Sequence, residues 1–389
     1  MPTIAHISPY MDPSAGGPPV VVDQLVQHAP DLGWTPLVIT TDAHTPDRGE
    51  FLSSRQGFNV LPSGARLFLS SQRKQLATMI KQADMLHCHT LWSPLVGLSA
   101  RLARQHRIPY LVSPHGMLDP YSLSQKGLKK KAYLTVFERQ MLRQANGLLF
   151  TTSEEKRLAE KALGSFQRSD VIGLGAEAPD APRERLAESF LRKHPEYAEK
   201  HLIVFCGRIH HKKRPEALVA AMPEILKSVP SAMLLFVGSG DPEMMTKLEG
   251  LAQRHAVEHA VSFTGFLSGT DKWEALAASK IFALPSHQEN FGIAAAEALR
   301  IGLPVLLTKR VNIWREIVEN EAGLALDEDD IVNSLAVNIA DLLANEARLT
   351  ALSRKAQAFA DANYTWARCS QLTHQLYDQL ISATSGDKL

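Results

Sequence analysis

Cysteine is scarce in this chain of 389 residues: Cys88, Cys206 and Cys369 are the three present. Their number is odd, they are far apart, and no two form a C-x-x-C pair, so a disulfide framework is not expected and a reducing cytoplasm is. Long apolar runs are missing too. With no uncharged apolar stretch of about 18 residues, no membrane span is expected. The opening MPTIAHISPYMDP places no basic region before a long apolar core and does not read as a signal peptide. Net charge is only +1, so no global field favours nucleic acid. What is there, 45% hydrophobic and 21% charged residues, matches an ordinary soluble globular protein. The length is large for one core and predicts two domains. No short tandem repeat is seen; the chain reads as two similar α/β halves.

The most informative stretch is Leu284 to Thr308, LPSHQENFGIAAAEALRIGLPVLLT. Ile281 to Leu284 is a short apolar run ended by Pro285, as a buried strand would be. A polar loop, Ser286 to Asn290, leads to an alanine-rich helix expected over about Phe291–Ile301, stopped by Gly302 and Pro304. Val305 to Leu307 is the next strand. Such a unit implies parallel strands and a right-handed crossover. Glu289 in the loop and Glu297 in the helix stand eight positions apart. Ligands of α/β folds sit at the carboxyl ends of strands, and a helix N-terminus suits a phosphate. Both glutamates also have structural alternatives. Ser286-x-x-Glu289 fits a capping box, and Glu297 could face solvent and pair with Arg300.

Earlier in the chain, Thr3–Ser8 reads as the first strand, followed by a loop containing Gly16 and Gly17 and a helix from Val20 to His28. Glycines here let a backbone approach a ligand closely, or simply make a turn. Pro36–Thr40 and Asp84–His89 read as strands, with residues 42–66 polar and irregular between them. His87 and His89 share one strand face, but no further ligand is close in sequence, so a metal site is not expected. Tyr110–Ser113 is a strand with His115 just beyond its end. Residues 124–144 form a basic helical stretch: Lys126, Lys129, Lys130, Lys131, Arg139 and Arg143 interleave with apolar residues. It reads first as a surface helix with a buried stripe, and alternatively as one lying on an anionic membrane surface. Gly147–Ser153 is another strand, with Ser153 expected to cap the next helix.

Val171 to Pro195, rich in proline and charge, reads as a linker. His201–Cys206 then opens a second α/β domain. Arg208 and Lys213 on its strand-to-helix loop can converge on a diphosphate, the arginine bidentately and the lysine as a point charge, or simply belong to a solvated basic loop, the commoner case. Gly238-Ser-Gly240 after the strand Met233–Val237 is not a dinucleotide fingerprint, because Glu243 stands where the third glycine belongs. Val261–Phe266 is a further strand and turn.

Four landmarks, Gly16-Gly17, His115 in SPHGMLDPYSL, Arg208/Lys213 in G-R-I-x-x-x-K, and Glu289/Glu297 in E-N-F-G with a second glutamate eight on, occur in the order seen in glycosyltransferase family 4, and the chain resembles that family over nearly its whole length. Two departures stand out. The family usually has Pro-Asn-Gly near Gly173–Glu177, and a glycine where this chain has Arg214.

The resemblance implies the GT-B architecture, two Rossmann-like α/β domains facing across a central cleft. An acceptor-binding domain is expected over 1–176, with a C-terminal helix, about 366–389, packed back on it, and a nucleotide-sugar-binding domain over 177–365. It implies a retaining, metal-independent hexosyltransferase with no cofactor. The donor would be a UDP- or GDP-sugar and the acceptor a glycan or lipid-linked sugar, as in bacterial surface-polysaccharide synthesis. Glu289, His115, Arg208 and Lys213 would be the catalytic set. The donor would also meet Gly16, Gly17, Phe266, Asn290, Phe291, Gly292 and Glu297. The cytoplasm, at the inner membrane face if 124–144 binds lipid, is the expected location. Rival readings are a sugar-phosphate synthase on the same architecture and a non-catalytic nucleotide-sugar binder. A dinucleotide oxidoreductase is disfavoured by the missing fingerprint.

Overall fold

The computed structural model describes residues 1–12, 16–43, 57–124, 133–134 and 138–386. The chain divides into two compact units. The first comprises Met1–Leu174 and Trp366–Leu389, the second Gly175–Thr365.

In the first unit, strands β1 (Thr3–Ile7), β2 (Thr35–Thr41), β3 (Phe58–Leu61), β4 (Met85–His89), β5 (Tyr110–Ser113), β6 (Gly147–Phe150) and β7 (Ser169–Val171) form one sheet in the order β3-β2-β1-β4-β5-β6-β7. Every pairing is parallel. The strands β4, β5 and β6 are buried along their whole length, as strands covered on both faces must be. The last long helix, Trp366–Gly386, places Leu376, Tyr377 and Leu380 against Ile4, Trp34, Met85 and Leu111 and so covers this sheet.

The second unit repeats the plan with β8 (His201–Cys206), β9 (Ala232–Val237), β10 (Val261–Gly265), β11 (Ile281–Leu284), β12 (Val305–Thr308) and β13 (Gly323–Leu326). Their order is β10-β9-β8-β11-β12-β13, again all parallel. Proline at the first turn starts the helices Gly17–His28, Pro94–Gln105, Pro215–Ser228 and Pro242–Arg254, where its missing N–H and fixed φ cost nothing.

Several expectations need correction. The stretch 42–66, read as irregular, contains β3, and its residues 44–56 lie outside the described set. The linker reading of 171–195 missed a helix, Arg183–Lys193, which buries Leu186 and Phe190; its apolar positions were masked by flanking charge. Thr152, not Ser153, caps the helix Ser153–Leu163 by accepting the N–H of Glu155. Most of the basic stretch 124–144, including Lys126 and Lys129–Lys131, lies outside the described residues. Its described end is a short helix, Arg139–Arg143, with Met141 and Leu142 buried.

Candidate functional site

In each sheet the strand order reverses once: between β1 and β4 in the first unit, and between β8 and β11 in the second. Loops leaving the carboxyl ends of strands diverge at such a point and open a crevice where α/β folds bind ligands. Of the sequence-predicted residues of the second unit, Arg208, Lys213, Glu289, Asn290, Phe291 and Gly292 fall on the loops beside its reversal, Glu297 on the helix that follows and Phe266 beyond β10.

After β8, Gly207 has φ 132° and passes beside the Lys213 side chain. Exposed Arg208 follows, then a single 3-10 turn, His211–Lys213. Arg214 sits in the left-handed region, φ 52° and ψ 46°, as the residue before the helix Pro215–Ser228. Glycine is the natural occupant of that conformation, so the departure from the family pattern falls at a strained backbone position. After β11, the N–H of His287 donates to the Lys212 carbonyl at 2.8 Å, joining the two loops through their main chains. Lys213 Nζ then meets Glu289 Oε1 at 2.7 Å. The Glu289 backbone is pinned from the other side, donating to the Arg310 carbonyl at 3.0 Å and accepting from the Asn312 N–H at 3.1 Å.

The helix starts later than expected, at Ile293, with Gly292 before it at φ 80° and no side-chain cap. The capping-box alternative for Glu289 therefore fails: its carboxylate turns to Lys213. Asn290 stays on the loop, and Phe291 buries its ring edge-on against Tyr364, leaving only its main chain for any ligand. At the far end Gly302 closes the helix in a Schellman turn, its own N–H donating to Leu299 and that of Leu303 to Ala298.

Glu297 does not face solvent with Arg300. Arg300 pairs with Asp361, while Glu297 accepts from Lys272 at 2.7 Å. Burial raises the Glu297 carboxyl above its usual range, opposed by the neighbouring Lys272 ammonium. Lys272, on the helix Gly269–Ala278, also lies 4.8 Å from the Trp273 ring centre. Nothing in the sequence pointed to it. Asn312, whose N–H donates to the Glu289 carbonyl, is a further polar side chain here. It is 2% exposed, and its Nδ2 is without a hydrogen bond among the described residues.

Gly238 and Gly240 have a packing role. A side chain on Gly238 would strike the Gly207 carbonyl, and one on Gly240 the Ile209 carbonyl, so this pair lets the loops after β8 and β9 run together. Phe263 stacks on Phe236 at 5.0 Å, while Phe266 is 76% exposed on the loop beyond β10.

In the first unit, Gly16 has φ 120° and needs to be glycine, whereas Gly17 begins the helix Gly17–His28. His115 lies just past β5 with φ 51°, followed by Gly116 at φ 77°. Buried Glu155 holds this turn: one oxygen accepts the Gly116 N–H at 2.6 Å, the other the Thr151 N–H at 2.7 Å. Behind His115 stands a stack of histidines. His89 joins His115 at 3.2 Å and His6 at 3.1 Å, and His87 bridges Tyr377 at 2.6 Å and Ser113 at 2.7 Å. Burial drives all four pKa values down, His6 to about 3 and His115 to about 4, so the rings are neutral.

The ground for setting a metal aside at His87 and His89 does not hold in space. His6, from the neighbouring strand, brings a third nitrogen, all within 4.8 Å, a spacing that could hold a metal ion. In this structure those histidines are engaged with one another and with Ser113 and Tyr377.

Two family models match the chain. "Glycosyl transferase 4-like domain" spans residues 16–175, and "Glycosyl transferases group 1" spans residues 187–359. An uncharacterized glycosyltransferase of Methanocaldococcus jannaschii is 27% identical, with 92% of this chain and 95% of that protein aligned. A D-inositol 3-phosphate glycosyltransferase of Corynebacterium jeikeium is 24% identical, over 97% of this chain and 96% of the relative. Among solved structures, Anabaena HepE in complex with UDP superposes with a TM-score of 0.80 at 18% identity, covering 97% of this chain and all of that one; HepE has also been solved with UDP-glucose. The fold is GT-B. The chain belongs with the family 4-like glycosyltransferases and is a transferase of the GT-B type.

Proposed function

We propose that this transferase moves a hexose from a nucleoside diphosphate sugar, UDP- or GDP-linked, to a hydroxyl of a glycan or lipid-linked acceptor, with retention of anomeric configuration, in bacterial surface-polysaccharide synthesis. The observation that carries the reading is the Lys213–Glu289 pair, which bridges the loops after β8 and β11 where the strand order reverses. A cation and a carboxylate at that point suit a diphosphate and a sugar side by side. The UDP and UDP-glucose of HepE support the donor class.

In this reading Arg208 and Lys213 face the diphosphate, together with the main chain from Asn290 through Gly292. Glu289 holds sugar hydroxyls, and Glu297, braced by Lys272, holds the ribose hydroxyls. Phe266 lies towards the base. Gly16 and Gly17 allow close approach of the donor, and His115 contacts the transferred sugar. The bond from C1 to the β-phosphate oxygen breaks, the acceptor oxygen bonds to C1 on the same face, and the acceptor proton passes to the departing phosphate. Negative charge grows on the diphosphate in that transition state, and each fixed donor to it contributes about 2–4 kcal/mol. Cationic side chains supply this charge, so the reaction is metal-independent and needs no cofactor. No described helix is long and apolar enough to cross a membrane.

A second reading is transfer to a small phosphorylated polyol, the acceptor class in the name of the Corynebacterium jeikeium relative. The donor site is tested first, by thermal shift with GDP, UDP, ADP and their sugars on wild type and Arg208→Ala. A ligand at about 100 times its Kd stabilises by roughly 2.7 kcal/mol. A selective shift lost in the variant supports the reading; no shift with any nucleotide at millimolar concentration overturns it.

A further inference from the structure

The histidines behind His115 form one connected line. His6 on β1 meets His89 on the neighbouring β4, Nδ1 to Nε2 at 3.1 Å. The other edge of His89 meets His115 beyond β5, Nδ1 to Nε2 at 3.2 Å. Parallel pairing of β4 with both β1 and β5 sets the three rings side by side. His87 lies against the face of His89, ring centres 3.9 Å apart, and is held by Tyr377 and Ser113, so both edges of His89 are left to the line. The line has one closed end and one open end. His6 is fully buried, and its Nε2 has no hydrogen-bond partner among the described residues. His115 is partly exposed, and Nδ1 is the ring nitrogen it does not spend on His89.

From this line we infer that His89 and His6 are positioning residues that set the tautomer of His115, so that it offers an Nδ1–H donor to the transferred sugar. The inference rests on the glycosyl-transfer reading above and gives its His115 contact a direction. A neutral imidazole carries one N–H and one lone pair. Each nitrogen-to-nitrogen contact needs one of each, so the proton of one ring fixes that of the next. Two registers satisfy both contacts. In the first, His115 donates from Nε2 to His89, His89 donates from Nε2 to His6, and His6 is left with an Nε2–H in the core that nothing receives. In the second, His6 Nδ1 donates to His89 Nε2, His89 Nδ1 donates to His115 Nε2, and His115 keeps its proton on Nδ1. The second is favoured, because a buried donor without an acceptor is a rarer and costlier fault than an unused lone pair. A donor held in place before the sugar arrives needs no rearrangement to bond a hydroxyl oxygen.

The test is the ring-nitrogen NMR spectrum of the full chain carrying ¹⁵N-labelled histidine, at neutral pH and without ligand. The expected result is a protonated Nδ1 and a bare Nε2 on each of His6, His89 and His115. A protonated Nε2 on His115 overturns the inference. His89→Leu and His6→Leu should each release His115 into a mixture of tautomers, the second acting from two rings away. A His115 tautomer indifferent to both substitutions means that the line is packing only, and overturns the inference too. Should a variant fail to fold, the wild-type spectrum alone decides. Calorimetry then reads the consequence, with the nucleotide sugar that stabilises the wild type set against its nucleoside diphosphate. His89→Leu should weaken the sugar nucleotide by about threefold to tenfold and leave the nucleoside diphosphate unchanged. Equal affinities for the sugar nucleotide in wild type and His89→Leu would remove the contact with the sugar. Failure of the donor reading would show separately, as a wild type that answers to no nucleotide, whereas the spectrum needs none.

Discussion

Lys213 and Glu289, 76 residues apart, meet through Nζ and Oε1 at 2.7 Å, each side chain about one-fifth exposed. With both side chains about four-fifths buried, the attraction is offset by the desolvation of both ends, so the pair is a weak source of net stability. In the proposed reaction it holds a cation where charge develops. Lys213→Ala is therefore expected to lower kcat by about 10²–10³, beyond any loss of stability from leaving Glu289 unpaired. Near-normal turnover, measured alongside the unfolding midpoint, would remove Lys213 from the transition state.

Glu297→Ala should act on binding. With both Glu297 and Lys272 largely buried, the carboxylate is fixed rather than solvated. The expected outcome is nucleotide affinity weakened by roughly tenfold or more, about 1.4 kcal/mol, and kcat at saturating donor little changed. Lys272→Ala should weaken affinity in the same direction by releasing Glu297. Calorimetry showing unchanged affinity for both variants would leave the pair as internal packing.

The pH dependence of stability follows from opposing buried groups. His6, His87, His89 and His115 have pKa values held below the ordinary 6.5 by burial, so the unfolded chain takes up protons below that pH that the native chain refuses. Each lowers stability as pH falls. Glu138 is the reverse: burial raises it from 4.5 to about 7, the native chain holds its proton in that window, and stability rises as pH falls through it. The lowered histidines outnumber the raised carboxyls, Glu138 and Glu297, so stability should fall as pH drops from about 6 to 5. Urea midpoints flat from pH 7 to 5 would contradict the neutral stack. Glu138→Gln keeps an acceptor for Trp92 and should gain up to about 3 kcal/mol at pH 8, and nothing at pH 4.

Arg183 is a structural counterpart to the site arginine. Its half-buried guanidinium donates to the carbonyls of Ala277, Ser279 and Gly302 and to Ser353, gathering the C-terminal ends of two helices. Arg183→Ala should cost at least about 3 kcal/mol, with Arg183→Lys recovering only part because a point ammonium cannot reach this fan of acceptors. Chemical denaturation reads this directly, and a loss under about 1 kcal/mol would show that water replaces the guanidinium.

Local signals explain what could be read in advance. The strand at Tyr110–Ser113 and that at His201–Cys206 were legible because short apolar runs end in clear breakers. Glu289 and Lys213 were legible because each sits just past such a strand. Their partners were not. Lys272 looks like any surface lysine of an amphipathic helix, and its meeting with Glu297 is fixed by helix packing. His6 lay too far along the chain to be counted with His87, although parallel pairing sets the two side by side. Trp92 carries no mark in sequence of its left-handed backbone, and Arg214 is marked only by standing where the family usually has glycine. The helix Arg183–Lys193 was hidden by its own charge.

The first unit takes its final helix from the far end of the chain, so the second unit is in effect an insertion within it. The insertion's two ends are clasped, the Ala176 N–H donating to the Tyr364 carbonyl at 3.0 Å. On the ribosome this fixes an order of maturation. Residues 175–365 can close into their fold while synthesis continues, but the earlier sheet, though made first, must wait with Ile4, Trp34 and Met85 uncovered until Tyr377 emerges. The older half of the nascent chain is thus the later to finish, and it is the half that a chaperone would have to shelter.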